Sequence, residues 1–122
     1  MRGDAGFLEH LHELLSPLGR CTTRAMFGGH GVYLDGSIVG IVIDGALYLK
    51  VDGESEAAFR AAGSTPFTYT ATARPIEMSY WSVPEEALES REAMRPWAQR
   101  ALAAALRKEQ ARARKKVGTK RR

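Results

Sequence analysis

Cysteine is almost absent from this 122-residue chain: Cys21 is the single thiol. One cysteine cannot close an internal disulfide or supply a multi-cysteine zinc site. Long hydrophobic runs are missing too. The longest useful stretch, Ile38–Ile43, is strand-sized and far short of the roughly 20 apolar residues a membrane span needs, so no membrane association is expected. The opening Met1-Arg2-Gly3-Asp4 leads into no apolar signal core, which argues against export and for the cytoplasm. Histidine is scarce. His10 and His12 lie two apart and would point about 200° from each other on a helix, and His30 has no acid or thiol at ligand spacing, so no metal or other cofactor is expected.

What is present is an ordinary balance for a folded domain, 44% hydrophobic and 26% charged, in a length that fits one small domain. The charge is unevenly placed. From Arg100 to Arg122 there are ten Lys or Arg against Glu109 alone, a net +9, while the preceding residues carry −5. The division that follows is a folded domain over 1–108 and a basic, disordered tail over 109–122. Arg112, Arg114, Lys115, Lys116, Lys120, Arg121 and Arg122 are the candidate contacts to nucleic-acid phosphates. With no aromatic residue in that segment to stack on bases, such binding would be salt-sensitive and would read no sequence. The plainer use of the same charge is to keep the protein soluble.

Periodicity supplies the elements. Phe7, Leu8, Leu11, Leu14 and Leu15 recur at helical spacing over Asp4–Leu15, and Pro17 ends that helix. Asp-Gly pairs at 35–36, 44–45 and 52–53 each follow an apolar run. The first two predict two-residue hairpin turns with Gly36 and Gly45 at positive φ. Strands are therefore predicted over Gly31–Leu34, Ser37–Ile43 and Ala46–Val51. The implied register sets Tyr33 against Ile38, Val32 against Val39, Ile41 against Tyr48, Val42 against Leu47 and Ile43 against Ala46. One face would carry Tyr33, Ile38, Val42, Leu47, Leu49 and Val51, the other Val32, Val39, Ile41, Ile43 and Tyr48. An apolar second face needs cover from a helix or a second subunit, and a homodimer is one expectation. A helix over Glu54–Ala62, strands over Pro66–Ala71 and Ile76–Val83, a helix start at Pro84-Glu85-Glu86, and a long helix from Arg91 follow. In that last helix Met94, Trp97, Ala101, Leu102, Ala105 and Leu106 would face inward. The fold class is α+β: a two-layer domain ordered helix, three-strand antiparallel meander, helix, two strands, C-terminal helix.

Candidate chemistry is thin. Phe27-Gly28-Gly29-His30-Gly31 is the glycine-rich segment, but a strand follows it and neither Walker nor Rossmann spacing is present, so a backbone bend explains it better than a phosphate cradle. Cys21 lies near Arg20 and Arg24, which can lower a thiol pKa, yet spacing identifies no base beside it. Glu85 and Glu86 suit a helix start, and Tyr80, Trp81 and Trp97 suit a core. No catalytic set is visible.

The strings themselves carry a resemblance. Met26-Phe27-Gly28-Gly29-His30-Gly31-Val32-Tyr33, Asp44-Gly45-Ala46-Leu47-Tyr48-Leu49-Lys50-Val51 and Met78-Ser79-Tyr80-Trp81-Ser82-Val83-Pro84 resemble the N-terminal domain of the TfoX (Sxy) competence-regulator family, over roughly Arg24–Ala105. Met26, Phe27, Gly28, Gly29, Gly31, Met78, Ser79, Tyr80 and Trp81 are its motif positions, and they read as structural. The resemblance implies a two-layer α+β domain and a non-enzymatic regulator, since members help switch on DNA-uptake genes together with a cyclic-AMP receptor protein. Two-domain members carry a C-terminal helical domain where this sequence has its basic segment. The expected role is an accessory interaction protein with a partner in the transcription machinery. The alternatives are a small-molecule binder or enzyme using a pocket near Gly28–His30 and Tyr80–Trp81, and a homodimer with a merely solubilising tail.

Overall fold

The computed structural model describes the backbone of residues 2–26, 28–69 and 76–120 and the side chains of 5–26, 28–68 and 79–115. Helix α1 (Arg2–Leu15) buries Leu11, Leu14 and Leu15 and ends in a 3-10 turn over Ser16–Leu18, where Pro17 breaks the ladder. Six strands follow: β1 (Cys21–Met26), β2 (Gly29–Leu34), β3 (Ser37–Ile43), β4 (Ala46–Lys50) and, after α2 (Glu56–Ala61), β5 (Pro66–Tyr69) and β6 (Ile76–Ser82). They form one sheet in the order β1-β2-β3-β4-β6-β5, every neighbouring pair antiparallel. A 3-10 turn over Glu85–Leu88 leads into α3 (Arg91–Lys120), which contains Pro96 without breaking.

The predicted order of elements stands, with one strand added. β1 was not anticipated because Cys-Thr-Thr-Arg-Ala-Met has no apolar alternation; as an edge strand it needs little, and only Cys21 is buried. Both hairpin turns are as expected. Asp35 and Gly36 have φ of 49° and 88°, Asp44 and Gly45 of 52° and 74°, the double positive φ of a type I′ turn.

The register between β3 and β4 is also as expected, with Ile43 against Ala46, Val42 against Leu47 and Ile41 against Tyr48. Between β2 and β3 it requires correction. Tyr33 pairs with Ile38, but Val32 pairs with Gly40, leaving Val39 as an extra residue. This bulge reverses the alternation along β3. Val32 and Val39 join Val42, Leu47 and Leu49 in the core, whereas Tyr33 and Ile38 move to the face of Ile41, Ile43 and Tyr48.

A single core cluster joins α1, the inner sheet face, Phe59 of α2 and α3. Helix α3 lies on the sheet through Met94, Ala98, Ala101 and Ala105, whose small side chains permit close approach. Trp97 is half-buried with its ring 5.0 Å from that of Phe59, and Leu106, expected to face inward, is 43% exposed. Each fully buried leucine of this core contributes roughly 2 kcal/mol relative to exposure. Helix α3 runs through Lys120, across the segment that the sequence led us to expect as a disordered tail.

Candidate functional site

The glycine-rich segment forms the β1–β2 hairpin. Met26 pairs with Gly29 across the turn, and Gly28 takes a φ of 77°. A β-carbon on Gly29 would collide with the carbonyl oxygen of Val42, and one on Gly31 would lie 2.8 Å from the Met26 methyl. These glycines let neighbouring strands close up. The segment runs from strand to strand, so it is not the start of a helix. Phe27 lies outside the described residues.

The second motif lies on β6. Tyr80 pairs with Lys50 and Trp81 with Leu49. Trp81 is a core residue, capped by the Arg60 guanidinium 5.1 Å above its ring; the side chain of Met78 lies outside the described residues. Burial, with a smaller contribution from Tyr33, pushes the Tyr80 phenol up, so it stays neutral near pH 7. The open cleft that Trp81 and Ser79 line, about 410 Å³, is walled by Val51, Asp52, Glu56 and Arg60 rather than by Gly28–His30. Cys21 is buried, and burial pushes its thiol up rather than down despite the nearby arginines.

The strongest electrostatic feature was not anticipated, and it sits where β4 ends. The Asp52 carboxylate accepts hydrogen bonds from the backbone N–H of Glu54 and Ser55, an Asx-type turn ahead of α2. It also accepts two from Arg107 of α3, at 2.7 and 2.9 Å. The Arg107 guanidinium first, then the Ser55 amide, hold its pKa at about 2, against desolvation acting the other way. Arg107 reaches Glu54 as well, at 3.5 Å.

Beside this corner Lys50 is buried, 6% exposed, with its ammonium 4.8 Å from the centre of the Tyr80 ring. Burial first, then the Lys108 ammonium and Arg112, lower its pKa. Lys50, Ser79, Ala104, Arg107 and Lys108 line a second open cleft, of about 360 Å³. Neither Lys50 nor Lys108 stands out in the sequence. Nothing local in the sequence links positions so far apart along the chain.

Of the candidate phosphate contacts, Arg112, Arg114 and Lys115 are exposed on α3, while the side chains of Lys116, Lys120, Arg121 and Arg122 lie outside the described residues. The outer sheet face carries Tyr33, Ile38, Ile43 and Tyr48, each half-buried, around a buried Ile41. Arg24 stacks over Tyr33 at 5.3 Å and Phe67 meets Tyr48 at 4.9 Å between ring centroids. Among the described residues no group of three metal-ligating side chains converges, and no helix is long and apolar enough to cross a membrane.

Comparison with known proteins decides the family, because the TfoX N-terminal domain matches residues 13–105. The chain belongs to the TfoX N-terminal domain family. It is similar to the DNA transformation protein TfoX1 of Aliivibrio fischeri, 32% identical over 82 residues. The alignment covers 64% of this chain and 39% of that relative, so the chain spans about two-fifths of the longer protein.

Proposed function

We propose that this TfoX N-terminal domain is a non-enzymatic accessory regulator of DNA transformation that acts by contact with a protein of the transcription machinery. The observation that carries the reading is the family match over residues 13–105, together with the named activity of the relative, DNA transformation. Gly29, Gly31 and Trp81 of the family motifs serve packing, so function falls to surfaces rather than to a reactive centre. Two surfaces suit it. The outer sheet face around Ile41 has the aromatic and aliphatic character of an interface core and pairs with a second copy of the chain. The exposed cations late in α3 supply sequence-independent attraction to nucleic acid.

The test is an affinity pull-down with the full chain as bait, from the native cell, with and without nuclease. The expected result is nuclease-resistant recovery of a transcription protein. Recovery that nuclease abolishes would reduce the function to phosphate binding, and no recovery above an unrelated bait would overturn the regulator reading.

A further inference from the structure

Lys50 is buried, 6% exposed as a residue, yet among the described residues it makes no ion pair. A charge taken out of water needs a compensating partner. The Tyr80 ring at 4.8 Å supplies part of that compensation. The neighbouring Asp52 carboxylate favours the charged amine too, but it is shared with Arg107, which holds both its oxygens. The other charges acting on Lys50 are positive. Lys108 is within hydrogen-bonding reach of it, and Arg112, one helical turn further along the same face of α3, adds to the repulsion. Lys50 and Lys108 line one open cleft of about 360 Å³, with the exposed Ser79 and the Asp52–Arg107 ion pair at its wall and Arg112 close enough to act on Lys50.

We propose that this cleft, between the end of β4 and the face of α3 bearing Lys108 and Arg112, binds a phosphate-type oxyanion. A tetrahedral oxyanion presents three or more acceptor oxygens, so one group can meet Lys50, Lys108 and the Ser79 hydroxyl together, with Arg112 adding longer-range attraction. A carboxylate, with two oxygens, would leave one donor unmatched. The site is built from side chains of two elements around a buried lysine, unlike the exposed cations further along α3. It stands apart from the regulator reading, which can fail or hold without it. The competing description is a neutral Lys50 amine accepting a hydrogen bond from Lys108, which needs no anion.

The experiment is an NMR titration of the full chain with inorganic phosphate at constant ionic strength, with chloride as the control. Saturable shifts confined to the amides around Lys50, Ser79 and Lys108 are expected. Lys108→Ala and Arg112→Ala, both at exposed helix positions, should each weaken the titration midpoint by about tenfold. Arg100→Ala, on the same helix but beside Trp97, should leave it unchanged. Lys50→Met keeps the aliphatic stem and should abolish the response. Shifts no larger than with chloride, or Lys108→Ala and Arg112→Ala titrating as wild type, would overturn the proposal and leave the neutral amine. A short oligonucleotide added to the phosphate-bound protein identifies the source. Displacement of phosphate assigns the site to a nucleic-acid backbone, and no displacement assigns it to a free phosphate or small phosphate ester.

Discussion

Arg107 closes on Asp52 from 55 residues away: its Nε donates to Oδ2 at 2.7 Å and its Nη2 to Oδ1 at 2.9 Å. The pair ties the middle of α3 to the turn that follows β4, and the same carboxylate organises that turn through the amides of Glu54 and Ser55. One side chain thus connects sheet, helix start and final helix.

Asp52→Ala removes both connections and should cost about 1 kcal/mol at neutral pH through the turn hydrogen bonds alone. The pH dependence has a definite sign. The folded-state pKa of Asp52 is depressed from 3.8 to about 2, so its contribution is complete above about pH 4 and is lost as the pH falls through 4 towards 2. Denaturant unfolding of wild type and Asp52→Ala across that range should show the two curves converging in acid. A constant gap down to pH 2 would show that the pair does not form.

Two glycines differ in why they are needed. Gly45 has open space around it but a φ of 74°, so Gly45→Val should cost about 1–2 kcal/mol through left-handed strain. At Gly29 the obstacle is instead the Val42 carbonyl. Gly29→Ala should cost about 1–3 kcal/mol by forcing β2 and β3 apart. Thermal unfolding of each variant checks both values, and a Gly29→Ala protein as stable as wild type would refute the close approach.

Much of this architecture was legible in the sequence, for physical reasons. Asp35-Gly36 and Asp44-Gly45 declare their turns because few residue pairs tolerate two positive φ angles in succession. Helix α1 declares itself through leucines at helical spacing. The bulge at Val39 was not legible: Ile38-Val39-Gly40-Ile41 is uniformly apolar or small, so no polar residue marks where the alternation slips. Strand β1 was hidden by its polar edge character. The Lys50–Lys108 cleft was hidden because it is made entirely by tertiary packing, with nothing in either local segment to announce the other.

The corrected outer face keeps the expectation of self-association. It contains Tyr33 and Ile38 beside Ile41, Ile43 and Tyr48, in place of Val32 and Val39. Sedimentation at micromolar concentration should show a species of twice 13.4 kDa. Ile43→Lys, at a half-buried position, should return it to the monomer without unfolding it. A clean 13.4 kDa species for wild type across the concentration range would reject the dimer.

Deleting residues 114–122 removes six cations, Arg114, Lys115, Lys116, Lys120, Arg121 and Arg122. Non-specific DNA binding should weaken sharply, and the slope of log affinity against log salt should flatten in proportion to the number of phosphates no longer neutralised. Fluorescence anisotropy with a labelled duplex at two salt concentrations measures this. Equal binding by the full and shortened chains at low salt would remove the basic end from the mechanism.

The most direct test of the central claim is the transformation frequency of the native host. It should be measured in the parent strain, in a strain lacking this gene, and in that strain carrying either the wild-type gene or its Ile43→Lys variant. A regulator acting through its outer sheet face predicts a fall in frequency on deletion, restored by the wild-type gene but not by the variant. An unchanged frequency on deletion, in a host shown to take up DNA under the same conditions, would contradict the account.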